Sequence, residues 1–503
     1  MADSSSEAPS DDRVCSKCHL EDIIDDAATS TLWIQCNSCG NHYHQICVKI
    51  EEYKANLIAE YHCCACEPTV GPSTLKKVLL NHRYHFDALD EANLKPQVGT
   101  KQWIEEFVNS EASVQSCPLD VMTVYATGHS FHENFNEDKE WRNPIMIKEA
   151  DGLKMQLPDS EFDIHKLYDL IGGDEVISVI DVYAQRSSKM SFKSFYERWT
   201  ESPRRRLYNM LSFEFSHTKL MNMVRAPDMM HRLSWVHKFW PEQSLNSDDI
   251  VNGDYEADMH LDHVTKRPDV SMFCLLGMGG SYTEFHIDFG GSSVWYHVFQ
   301  GQKIFYVVKP TEQNLKRFEK WTKNGNRSET WFGDCLPKTD IYRVIINPGE
   351  TVMIPSGWIH AVYTPVDSMV FGGNFLHDLN VVKQLRVYKI EQSCNYDDNF
   401  MFPNFELCHW YAAEALAERL TSATDDPETL PSHIILGLKA LHKALVVWND
   451  QSPCHSRFSG VIRTIENGLR KYTKQRKSTP RKRQSATTSS TSTRSAPSKR
   501  NKT

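Results

Sequence analysis

Seven cysteines and one histidine near the start of this sequence are spaced to bind metal. They fall in four pairs, Cys15-x2-Cys18, Cys36-x2-Cys39, His44-x2-Cys47 and Cys63-x2-Cys66. A two-residue gap lets both side chains of a pair reach one ion from a tight knuckle. Four pairs supply eight ligands, enough for two tetrahedral Zn(II) ions with no open position. Closed coordination means a structural role, and the binding energy of zinc would itself fold the segment. A disulfide framework is the competing reading. The regular pairs, the histidine among them and the lack of a secretory signal argue against it. Cys64 and His42 fit no ligand slot.

A second set of residues points to different chemistry. The segment Ser281-Tyr-Thr-Glu-Phe-His286-Ile-Asp288 contains His-x-Asp, and His360 follows in Ile354-Pro-Ser-Gly-Trp-Ile-His360. On a strand, residues i and i+2 point the same way, so His286 and Asp288 can reach one ion. Two histidines and one carboxylate form a facial triad suited to non-haem Fe(II), with positions left open for a bidentate cosubstrate and O2. A cosubstrate carboxylate needs a cation and a hydroxyl. Lys303, on the strand expected after Gly301, supplies the first, and Thr283, beside His286, supplies the second. A buried lysine needs an anion beside it to stay charged.

These residues must be held by several units, because 503 residues exceed one ordinary domain and imply about three. The composition, 40% hydrophobic and 24% charged, can build a large core. The net charge of -9 hides a split. Residues 470–503 carry 12 Lys and Arg and no acid, which leaves -21 for the rest. An acidic body and a basic tail suit a polycation and a polyanion respectively. No run of 18 apolar residues exists, so no membrane span is expected. MADSSSEAPSDD lacks the basic start and apolar stretch of a signal peptide, which predicts a reduced, intracellular setting.

Residues 271–380 read as strands of a sandwich or barrel. Val294–Val298 and Lys303–Val308 flank Gln300-Gly301, and Tyr342–Ile346 and Thr351–Ile354 flank Pro348-Gly349, so both pairs are expected to be hairpins. Ile434, Leu438, Leu441, Leu445 and Trp448 recur every three or four residues and predict one apolar helix face, packed on the barrel or on a neighbouring helix. A short basic helix is expected around Leu75–Leu80. Seven acids and no Lys or Arg between Pro241 and His263 form a negative loop suited to a basic peptide.

The order of four cysteines, one histidine and three cysteines, with Tyr43-His44 before Cys47, resembles a PHD finger. The resemblance implies interleaved pairs, with Cys15, Cys18, His44 and Cys47 on one zinc and Cys36, Cys39, Cys63 and Cys66 on the other. It also implies reading of a histone H3 tail, with Trp33 at a position of the aromatic cage that traps trimethyl-lysine by cation–π attraction. His42 stands where the family usually has a second cage aromatic.

Ser281–Pro310, Ile354–Val362 and Phe371–His377 resemble the JmjC domain of the PHD–Jumonji lysine demethylases, subfamily seven. Leu211–Thr218 and the 437–445 segment extend the likeness. The fold implied is multidomain: a PHD zinc finger, then a JmjC double-stranded β-helix (jelly-roll) barrel with flanking helices and a C-terminal helical segment. The expected boundaries are a disordered 1–12, a finger at 13–67, a linker at 68–100, a catalytic domain at 101–392, a helical segment at 393–475 and a disordered basic tail at 476–503.

The same resemblance implies that His286, Asp288 and His360 bind Fe(II), and that Thr283 and Lys303, assisted by Tyr296, hold 2-oxoglutarate. Asn209 would line the pocket, and Phe273 stands where relatives have Tyr beside the methyl-lysine. The implied reaction removes methyl groups from mono- or dimethylated lysines of histone H3, at positions nine and twenty-seven. The implied partners are the H3 tail and the nucleosome, with non-specific DNA contact through the basic tail, and the implied location is the nucleus. A non-catalytic chromatin reader and a JmjC protein hydroxylase are the competing functions.

Overall fold

A computed structural model describes residues 14–20, 32–50, 55, 58–75, 96–110, 113–137, 139–241, 266–324, 329–397, 400–423, 430–452 and 456–478. The expected disordered start, most of the expected linker, the acidic 242–263 segment and the tail beyond Ser478 lie outside these residues.

The cysteine-rich unit is built on two small ladders. Strand β1 (Trp33–Gln35) pairs with β2 (His42–His44), and β3 (Ile58–Glu60) pairs with β4 (Thr74–Leu75). Leu75 is therefore a strand residue that returns to the finger, and the unit runs to at least residue 75; the rest of the helix expected around Leu75–Leu80 lies outside the described residues. Its apolar core is small, with Ile34, Tyr43 and Tyr61 packed among the cysteines. A unit with so little apolar burial needs a staple. At the other end of the expected linker, Val98 is already in the barrel core, and the Gln97 carbonyl accepts from the Thr100 hydroxyl just ahead of the helix Lys101–Ser110.

Eleven strands of the described residues form one sheet. In chain order they are β5 (Thr123–Thr127), β6 (Ile145–Glu149), β7 (Val176–Asp181), β8 (Arg186–Ser191), β9 (Tyr208–Glu214), β10 (Phe273–Gly277), β11 (Ser281–His286), β12 (Ser293–Val308), β13 (Ile341–Ile346), β14 (Thr351–Ile354) and β15 (Ile359–Phe375). Only β5 and β6 pair in parallel; the other pairs are antiparallel.

The long strands β12 and β15 organise the roll, and here the structure corrects the expected hairpins. Val294–Val298 and Lys303–Val308 do not pair with each other. Both belong to the 16-residue β12, and both pair with β15. The register shifts between Val298 and Ile304. Gly301 at the bend has φ +78°, and a Cβ there would lie 2.1 Å from the Asp367 carbonyl oxygen. In the same way β13 and β14 do not pair across Pro348-Gly349. β13 lies on the second half of β12 and β14 on the first. The stretch is also not all strand, since the helix Glu312–Lys323 separates β12 from β13.

The bulge in β12 decides which side chains face inward. Val294, Tyr296 and Val298 share a core with Phe305 and Val307, so the inward parity changes from even to odd between them. Lys303 falls on the inward side because of that change.

Four C-terminal helices, Val381–Ser393, Phe405–Ser422, Ser432–Gln451 and Val461–Ser478, form a second core. Ile434, Leu438, Leu441, Leu445 and Trp448 are all buried in it, as the spacing predicts. The last helix continues to Ser478, so residues 476–478 are helical rather than disordered.

Candidate metal and cosubstrate sites

The first two candidate sites lie in the cysteine-rich unit. The ligand atoms of Cys15, Cys18, His44 and Cys47 lie within 4.8 Å of one another, and so do those of Cys36, Cys39, Cys63 and Cys66. Cys18 Sγ is 3.3 Å from His44 Nδ1, and Cys39 Sγ is 3.8 Å from Cys63 Sγ. Ligands at about 2.3 Å from a tetrahedral ion stand roughly 3.7 Å apart. The backbone N–H of His44 points at Cys15 Sγ and that of Cys63 at Cys36 Sγ, both at 3.3 Å. Burial pushes the Cys15 thiol up, but the backbone N–H groups of Cys18 and His44 outweigh it and bring the thiol down to about 6. The Tyr43 hydroxyl beside Cys63 lowers that thiol to about 6. Burial and the neighbouring Cys18 and Cys15 push Cys47 the other way, up to about 11, so the crowded sulfurs share their charge unevenly. Sulfur and imidazole donors gathered by knuckle N–H groups are a set that fits zinc. Chelation with a strong zinc chelator should release two ions per chain. It should also expose residues 32–75 to protease while the barrel and its helices keep their far-UV signal. An equally resistant finger after complete zinc loss would remove the structural role.

Trp33 faces His44 directly across the β1–β2 ladder, with the ring centroids 4.1 Å apart. Its edge contact with His42 is longer, at 6.5 Å. Trp33 therefore covers the ring of the candidate ligand His44 on one side and stays half-exposed.

The third candidate site lies in the roll. His286 and His360 are directly opposite in the β11–β15 register, with ring centroids 4.2 Å apart. Their ligand atoms and those of Asp288 lie within 4.8 Å of one another. Backbone carbonyls fix both imidazoles. His286 Nδ1 is 2.8 Å from the Glu284 oxygen, and His360 Nδ1 is 3.2 Å from the Trp358 oxygen. A proton held on Nδ1 leaves the Nε2 lone pair for a metal. Burial pushes His360 well below the usual imidazole range, and the neighbouring His286 adds to the effect. The neutral ring is the ligating form. Asn374 Nδ2 donates to Asp288 Oδ1 at 3.4 Å and to Ser292 Oγ at 3.0 Å.

Deeper in the roll, Lys303 is only 2% exposed. Its Nζ donates to Thr364 Oγ1 at 2.8 Å, and it forms no ion pair among the described residues. Burial pushes it down to about 7. Gly277 makes room for the ammonium, since a Cβ there would lie 2.5 Å from Nζ. Asn209 Nδ2 donates to Thr283 Oγ1 at 3.4 Å, while Asn209 Oδ1 is buried with no partner. A buried lysine with no anion to pair with among the described residues fits a carboxylate-bearing cosubstrate, which would supply that anion.

Tyr296 packs edge-on to Phe305 at 5.1 Å, and Phe305 stacks on His360 at 5.6 Å. Tyr296 is thus one ring removed from the triad. Phe273 sits in the core shared with Trp235, Leu376 and the C-terminal helices. The sequence reading missed Thr364, Gly277 and Asn374. Thr364 shares the His360 face of β15 at an even offset, and Asn374 lies in a quoted motif, but neither residue type announces a role.

Comparison with known proteins adds to this geometry. The JmjC domain (hydroxylase) family matches residues 273–375, and the Jumonji helical domain family matches residues 379–469. The second match assigns the helix Val381–Ser393 to the helical unit, earlier than the boundary expected at 393. Lysine-specific demethylase 7B of Danio rerio is 38% identical over 420 residues, covering 83% of this chain and 68% of that protein. Lysine-specific demethylase 7A of Xenopus tropicalis is 38% identical over 420 residues, and histone lysine demethylase PHF8 of Danio rerio is 38% identical over 435 residues. The chain spans 43% and 40% of the lengths of those two proteins.

Proposed function

The chain belongs to the lysine-specific demethylase 7 family, and on that premise we propose that it is an Fe(II)- and 2-oxoglutarate-dependent histone lysine demethylase. The observation that carries the reading is the facial set His286, Asp288 and His360 sharing a roll with the unpaired, buried Lys303. When bound, iron supplies the oxygen chemistry that oxidises an N-methyl group as 2-oxoglutarate becomes succinate, and the product releases formaldehyde.

The chain's own residues bind, orient and exclude water. The Glu284 and Trp358 carbonyls aim His286 and His360. Asn374 aims Asp288. Lys303 and Thr283 hold the far carboxylate of 2-oxoglutarate, with Asn209 beside Thr283 and Tyr296 in the adjoining wall. Val294, Val298, Val362 and Phe305 keep that end of the site apolar, which strengthens the charge pair.

The substrates proposed are mono- and dimethylated H3 lysines, at positions nine and twenty-seven. The finger, with zinc on its two four-ligand sets, binds the H3 tail through Trp33, with the fourth residue trimethylated. The proposed setting is chromatin in the nucleus; no helix of the described residues is long and apolar enough to cross a membrane. The test is stoichiometric. A mono- or dimethylated H3 peptide should yield one formaldehyde for each 2-oxoglutarate consumed in its presence. Consumption with oxygen retained on the peptide would favour a hydroxylase, and peptide binding with no consumption would favour a reader.

DNA contact is proposed for the last helix. Val461, Ile465 and Tyr472 are buried, while Arg463, Arg470, Lys471 and Lys474 are exposed, so an anchored helix presents a basic outer side. Replacing Lys471 and Lys474 with Ala should weaken duplex DNA binding for all sequences alike. The slope of log affinity against log salt should fall by about one per lysine. An unchanged slope would place the DNA contact elsewhere.

A further inference from the structure

The turn that follows Asp288 is not self-supporting. Gly290 and Gly291 both lie at positive φ, +61° and +58°. A Cβ on Gly290 would lie 2.8 Å from Phe405 Cδ2, and one on Gly291 would lie 2.9 Å from Val387 Cβ. The turn is therefore pressed against two of the C-terminal helices. The Gly291 N–H donates back to the Asp288 carbonyl at 2.9 Å, which closes the turn on the ligand residue itself.

One side chain from the helical unit enters this turn. Glu391, on the helix Val381–Ser393, is 4% exposed, and its Oε1 accepts the Gly290 N–H at 2.7 Å. Its Oε2 is buried with no partner. A buried carboxyl is costly to keep with half its acceptors empty. The contact it makes is with backbone two residues from a ligand of the candidate iron site.

We propose that Glu391 is a positioning residue of the iron site, holding the Phe289–Gly291 turn so that the Asp288 carboxylate faces His286 and His360. The inference rests on the iron reading given above. It gives the helical unit a role in catalysis: buttressing the ligand loop of a barrel that would otherwise fray there. Asn374 holds the Asp288 side chain from β15, and Glu391 holds the Gly290 backbone from the helix Val381–Ser393. Burial pushes the Glu391 carboxyl up to about 8, so a neutral amide is a fair replacement for it.

The test uses the full chain and reads metal binding directly. Mn(II) is titrated in and the free ion is followed by electron paramagnetic resonance. Glu391→Ala should weaken Mn(II) binding by about tenfold or more, the range of a lost outer partner of a metal ligand. Glu391→Gln should restore binding to within about threefold, because its amide oxygen can accept the same N–H. Affinity for 2-oxoglutarate, measured at saturating metal, should move less than metal affinity in both variants. Leu441→Ala, in the core of the same helical unit, serves as a destabilised control and should lower Tm without moving Mn(II) affinity. Equal weakening by Glu391→Ala and Leu441→Ala, or no weakening by Glu391→Ala, would overturn the inference. Wild-type protein that binds no Mn(II) would instead remove the iron reading beneath it.

Discussion

His286→Ala should abolish iron binding at the roll and cut demethylation by about a thousandfold or more, equivalent to roughly 4 kcal/mol of transition-state stabilisation. The size follows from the geometry. His286 and His360 are directly opposed across two strands, and Asp288 approaches from the turn after His286. Removing one of three protein ligands leaves two, too few to hold the ion against water. The three act as a unit, so Asp288→Ala added to His286→Ala should cost little more. His286 is only half-buried, so the fold should survive and Tm should change by a few degrees at most. A His286→Ala protein that keeps more than about a tenth of wild-type turnover would show that the triad is not the reaction centre.

The second large effect belongs to Lys303. Lys303→Met keeps the length of the side chain and removes its charge. Affinity for 2-oxoglutarate should fall by about a hundredfold or more, as expected when one partner of a buried charge pair is truncated. Stability should be unchanged or higher, because no anion of the described residues pairs with the ammonium in the free protein. The two directions together separate a cosubstrate anchor from a structural lysine, whose loss would lower both.

The pH dependence has a definite sign. Burial depresses Lys303 to about 7. The charged form is the one that holds a carboxylate, and binding raises its pKa. Affinity for 2-oxoglutarate should therefore fall as pH rises from about 7 to about 9, by up to about tenfold per unit. Lys303→Met should flatten that dependence. A wild-type affinity that stays level across this range would contradict the assignment.

Much of the chemistry is written locally in the sequence. The candidate zinc ligands come as pairs with two residues between them, so the knuckles that aim them are visible without the fold. His286 and Asp288 are also close in the chain, at the end of β11 and the start of the turn that follows it. Their meeting with His360, 72 positions after Asp288, follows from the β11–β15 ladder; the sequence alone offers His360 only as a histidine at the end of another expected strand. The misread hairpin in β12 has a definite physical source. A Gly-centred bulge inside a long strand uses the same residues as a turn between two short ones, so Gln300-Gly301 reads as a hairpin. The bulge also sends Lys303 inward by changing the parity of β12. Residues that act through others, such as Thr364, Asn374 and Glu391, carry no signal in type or spacing, because their role is set by packing between distant segments.

The most direct test of the account is a mass spectrum of a dimethylated H3 peptide after incubation with the full chain, Fe(II) and 2-oxoglutarate. The account predicts successive losses of one methylene mass, about 14 daltons each, in step with formaldehyde release. It predicts no loss when Asp288→Ala replaces the wild type. A peptide of unchanged mass in the presence of metal-loaded, folded wild-type protein, across methylated positions of the H3 tail, would contradict it.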